Sequence, residues 1–134
     1  MFGTFKKLAL NTEVYALLAA NGLRAADQRT IVDFSLRHKI LPTVSSVPGA
    51  TKRGKAIAVI YLSAFMMHAA EPNHTSLSFG SMMHAAMGDH LKVASIEERE
   101  ALAAPLALFL GPMLDPEVSM SLDQLRIHVL ESFA

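Results

Sequence analysis

The residues best suited to chemistry in this 134-residue chain form a repeat. Met66-Met67-His68-Ala69-Ala70-Glu71-Pro72-Asn73-His74 is echoed sixteen positions later by Met82-Met83-His84-Ala85-Ala86-Met87-Gly88-Asp89-His90. The two copies hold four of the six histidines and five of the eight methionines. Soft thioethers suit Cu(I), imidazole suits copper, iron, nickel or zinc, and paired His/Met ligation holds haem in some cytochromes. A copper or haem site built here would draw on His68, His84, His74, His90, Met67 and Met83. His68 and His84 lead that set because they fall on helices, and Asp89 is placed to orient a ligating imidazole.

The same repeat also reads as two similar helix ends. Methionine fills irregular core gaps, and histidine near a helix C-terminus interacts favourably with the last carbonyls. In this reading Pro72 and Gly88 stop the two helices and Asn73 and Asp89 take turn positions, so that His74 and His90 lie beyond the helices. The spacing does not match the His-Glu-x-x-His pattern of zinc enzymes. His38 and His128 have no comparable context and read as surface or hydrogen-bonded residues.

A second pattern, Gly49-Ala50-Thr51-Lys52-Arg53-Gly54-Lys55, fits the G-x-x-x-x-G-K form of a phosphate-cradling loop. Ala56 stands where Ser or Thr would hold magnesium, and the chain offers no parallel sheet to carry a nucleotide fold. What survives is a basic helix entry, with Lys52, Arg53 and Lys55 as candidate anion-binding residues. With no Trp, only two Tyr and a net charge of zero, the chain lacks the broad basic and aromatic surface that nucleic-acid binding requires.

No catalytic set emerges. Ser63, Ser76, Ser78 and Ser81 lie near histidines in sequence but without a Gly-x-Ser-x-Gly elbow, and Glu97, Glu98 and Glu100 occupy a helix's first turns, where acids favour the dipole. The absence of cysteine excludes disulfides and thiolate nucleophiles. The reading therefore leans away from an enzyme.

The elements that position these residues are all helical. A first helix spans about Phe5 to Ala20 around Leu8, Val14, Leu17 and Leu18, with Asn11-Thr12 as a break point and Gly22 as its stop. A second, about Ala25 to Lys39, turns Ile31, Val32, Phe34 and Leu36 inward and ends before Pro42. Leu41 to Lys52 reads as a loop, within which residues 43–47 have extended character. The third helix, about 53–70, is apolar on every side and should be the buried axis. A helix from about Ser76 to Met87 follows. Ser95 with Glu98 and Ser121 with Gln124 form capping-box patterns that open two more. Pro105 is expected to kink or divide the first of these, and Leu122, Leu125, Val129 and Phe133 form the inner stripe of the last. The sum is an all-α, single-domain compact orthogonal bundle of six or seven helices over 1–134.

Composition points to what such a bundle does. The chain is 51% hydrophobic and 18% charged, against about 25% charged in an ordinary soluble domain. Surplus apolar surface on a protein is absorbed by contact sites. Ala56 to Ala70 is too short a charge-free run to span a bilayer, which takes about 20 apolar residues. Asn11, Thr12 and Glu13 interrupt the apolar run a secretory signal would need, so the expected compartment is the cytoplasm. Residues 1–55 hold nine Lys/Arg and three Asp/Glu, and residues 56–134 hold three and nine. A +6 and −6 split suits contact between copies or between halves of one fold. The expected function is a non-enzymatic interaction or adaptor domain that self-associates as a homodimer or higher oligomer. Its interface would draw on the central helix and on Leu106 to Leu114; the alternative is the small metal- or haem-binding protein described above.

Overall fold

A computed structural model describes residues 2–70, 78–110 and 121–132 of the chain. Among them are seven helices and no strand: α1 (Phe2–Ala20), α2 (Ala25–Arg37), α3 (Ile40–Ser45), α4 (Lys52–Ala70), α5 (Ser78–Lys92), α6 (Ile96–Leu110) and α7 (Leu122–Ser132). The all-helical bundle read from the sequence is the fold, and α4 is its axis. It packs against α1, α2, α3, α5 and α6.

Local sequence accounts for two of the ends directly. After α1, Gly22 adopts φ +86°, a left-handed conformation that costs glycine nothing. This lets Leu23 N–H donate to Leu18 O and Gly22 N–H to Ala19 O, the paired bonds of a Schellman stop, while Leu18 and Leu23 are both buried. At α7, Ser121 and Gln124 complete the expected capping box. Ser121 N–H donates to Gln124 Oε1 at 2.9 Å and Gln124 N–H to Ser121 Oγ at 3.2 Å.

Several breaker residues do not break. α1 runs through Asn11-Thr12 without interruption, and α6 is one helix with Pro105 inside it. Burial of Leu102, Ala103, Leu106 and Ala107 around Pro105 supplies the packing that offsets the missing backbone donor. Gly88 does not end α5, which continues to Lys92. The segment expected to be a loop contains α3, so residues 43–45 are helical rather than extended. α3 starts after Lys39, the one non-glycine residue at positive φ (62°) among those described, and Pro42 falls in its first turn, where no N–H is needed.

The core follows the helical period. Leu10, Val14, Leu17 and Leu18 of α1 meet Ile31, Val32 and Phe34 of α2 and Ile40, Leu41 and Val44 of α3 in one apolar cluster around α4. Leu36, expected inside, is 40% exposed; Ser35 takes the inner place and donates to Val32 O at 2.7 Å. On α7 Val129 is buried as the stripe requires, while the side chains of Leu122, Leu125 and Phe133, like the Leu8 side chain on α1, lie outside the described residues.

Candidate functional site

α4 and α5 carry the two Met-His copies and pack against each other along their length. Their direction follows from contacts. His84 meets Tyr61 and Phe65, whereas His90 and Leu91 face Gly54 and Ile57, so numbers rise along one helix as they fall along the other. The helices are antiparallel, and the pair has two distinct ends.

At the middle of the seam, the His84 ring stacks on Tyr61 with centroids 4.1 Å apart and planes at 29°, and lies 4.9 Å from the Phe65 ring. Its Nδ1 is 3.4 Å from Tyr61 O. Met67 and Met83 are buried in the core cluster, Met83 at 2% exposure. Burial raises the Tyr61 hydroxyl above its ordinary pKa of 10.0, because the phenolate loses hydration there. The arrangement is an aromatic and thioether packing layer in which imidazole is a flat, half-buried ring.

Among the described residues, no group of three or more His, Asp or Glu converges in a way that would hold a metal ion. The His68 side chain and all of His74 lie outside the described residues, as do Pro72 and Asn73. His90 differs from its expected place. It lies within α5, six positions beyond His84, because Gly88 continues the helix. A Cβ on Gly88 would sit 3.5 Å from the Tyr61 ring, an ordinary packing contact, so Gly88 lies on the side of α5 that faces α4.

At the other end of the pair, the chain's own acid answers the basic helix entry. Thr51 is the N-cap of α4: its Oγ1 accepts from Gly54 N–H at 3.0 Å. Glu98 Oε1 in turn accepts from Thr51 N–H at 2.9 Å and from Thr51 Oγ1 at 2.5 Å. In a reciprocal capping box Glu98 would reach back to Ser95. Here only the half from Glu98 N–H to Ser95 Oγ forms, at 3.2 Å, and the carboxylate crosses instead to α4. A Cβ on Gly54 would overlap that carboxylate, which explains the second glycine of the G-x-x-x-x-G-K pattern. The place where a phosphate would be expected receives Glu98.

The three candidate anion-binding residues therefore part company. Lys55 Nζ donates to Ser45 O at 2.9 Å, tying the end of α3 to α4. Lys52 is exposed. Arg53 reaches a cleft of about 200 Å³ at the α4, α5 and α6 junction, which it shares with His90 and Glu98 over Ile57, Leu91 and Leu102. One residue from each of two separate sequence predictions, Arg53 and His90, is brought together here. From the sequence, Glu98 is a dipole acid and the capping-box partner of Ser95. The capping-box spacing marked it, but nothing local marks a partner 47 positions away.

Comparisons with protein-family models, curated proteins and solved structures gave no match. No described helix is long and apolar enough to cross a membrane.

Proposed function

We propose that this protein is a helical interaction domain that acts by self-association, with α6 and α7 supplying the contact surface. The observation that carries this reading is Leu108, 51% exposed on a helix whose apolar residues are distributed around its whole circumference. The exposed positions of α6 are Ile96, Glu97, Glu100, Ala104 and Leu108, the last four of which form an i, i+3, i+7, i+11 stripe that begins acidic and ends apolar. α7, packed on α6, exposes Ile127 at 50%. Contact surfaces are the usual use of apolar side chains that a fold leaves uncovered in a patch.

The share of the interface first expected from α4 moves to α6 and α7, because Ala56, Ala58, Val59, Ile60, Leu62 and Ala64 are each fully buried by the chain's own helices. Of Leu106 to Leu114, residues 106–110 are described; Leu106 and Ala107 face inward and Leu108 outward. Residues 111–114 lie outside the described residues.

The test is a charge placed on the exposed stripe. Leu108→Asp is expected to leave helicity and melting temperature nearly unchanged, since surface changes lie within about 0.5 kcal/mol. It should convert an oligomer to a monomer in light scattering after size exclusion. An unchanged mass for both Leu108→Asp and Ile127→Asp would contradict the reading.

A further inference from the structure

The cleft between the start of α4, the end of α5 and the start of α6 is lined by three polar side chains with bonding capacity that the fold leaves open. Glu98 spends Oε1 on Thr51, while its Oε2 makes no bond to a described residue. Arg53 and His90 likewise have no ion pair, hydrogen bond or ring contact with any described residue. They line one concavity of about 200 Å³ whose inner wall is Ile57, Leu91 and Leu102, each less than 10% exposed. That volume is below the size of a drug-like site, and it combines a carboxylate held by Thr51, an exposed guanidinium and an apolar wall.

We propose that this cleft binds a small zwitterion with an apolar side chain, an α-amino acid of about leucine size. Glu98 Oε2 accepts from the ammonium, and Arg53 meets the carboxylate with its planar fork of donors. His90 adds an imidazole N–H to the same carboxylate. The side chain lies against Ile57, Leu91 and Leu102, where apolar area leaves water.

The charge pattern selects this class over simpler ones. A plain anion would meet Arg53 but also the Glu98 carboxylate, which is pinned by Thr51 and cannot swing away without breaking two hydrogen bonds. A plain cation would meet Glu98 and be repelled by Arg53. Only a ligand bearing both signs satisfies both residues at once. The ion pairs lie near the surface and are screened by salt, so binding falls in the millimolar to sub-millimolar range and weakens as salt is added. The site is separate from Leu108 and Ile127, so its occupancy does not depend on self-association.

The experiment is a titration of the full chain, followed by ¹⁵N chemical shifts at low ionic strength. Three probes are used: L-leucine, 4-methylpentanoate, which lacks the ammonium, and isoamylamine, which lacks the carboxylate. L-leucine is expected to give saturable shifts at His90, Glu98 and the first turn of α4, with each analogue at least about tenfold weaker. Arg53→Gln, a change at an exposed side chain, is expected to weaken leucine binding about tenfold or more while leaving the uncomplexed spectrum in place. Glu98→Gln should weaken it by a similar factor. The proposal is overturned by the absence of leucine-induced shifts at about 10 mM. It is equally overturned by 4-methylpentanoate binding as tightly as leucine, or by Arg53→Gln binding like wild type.

Discussion

α4 and α6 both carry apolar residues around their whole circumference, and the fold treats them differently. α4 is enclosed by five other helices, and six of the seven residues Ala58 to Ala64 are 0% exposed. α6 touches α4, α3 and α7, and leaves Ala104 and Leu108 facing outward. A helix apolar all round must be buried, but the sequence of the helix does not say what buries it. For α4 the answer lies within the chain. For α6 one side has no covering element among the described residues, and this is the physical basis of the proposal that it mediates self-association.

The contrast is sharpest in stability. Leu62→Ala removes a fully buried side chain from the axis and is expected to cost about 2–5 kcal/mol, read as a fall in the denaturant midpoint. Leu108→Ala, the same chemistry on α6, is expected to cost less than about 0.5 kcal/mol under conditions where the protein is monomeric. Equal costs at the two positions would remove the distinction between the helices.

A smaller effect probes the tie that fixes α6 to α4. Glu98→Ala removes the carboxylate from Thr51 and is expected to cost about 1 kcal/mol, with a coupling energy of similar size in a double-mutant cycle with Thr51→Ala. Additive single effects would mean that the contact contributes nothing.

The smallest effect is confined to alkaline solution. Because burial holds the Tyr61 pKa above 10.0, the folded state favours the neutral phenol. Its contribution is fully present below pH 10 and is lost as pH rises through the folded-state value. Tyr61→Phe should therefore show a shallower decline of stability with pH above about 10 than wild type, measured by urea unfolding at successive pH values. Parallel declines would contradict it.

What the sequence made legible depended on distance along the chain. Gly22, Ser121 with Gln124, and the continuous apolar run of α4 act through neighbours a few residues away, and each appears as read. Gly88 does not stop α5 and Pro105 does not divide α6, because intrinsic propensity at one residue is smaller than the packing of a whole helix, whereas Pro42 falls in the first turn of α3, where it fits. Gly88 is the clearest case: it costs about 1 kcal/mol in a helix, yet α5 runs through it where it faces the Tyr61 ring of α4. The functional residues divide in the same way. The Met-His repeat was visible as a pattern, but the Tyr61 and Phe65 rings that pack on His84 belong to another helix. Glu98 and Thr51 lie 47 positions apart, beyond any local rule.

The measurement closest to the central claim is sedimentation equilibrium of the wild-type chain over a hundredfold range of concentration. The account predicts an average mass above that of one 14.5 kDa chain, rising with concentration and returning to a single chain when Leu108 is replaced by Asp. A mass of one chain throughout the range would contradict it.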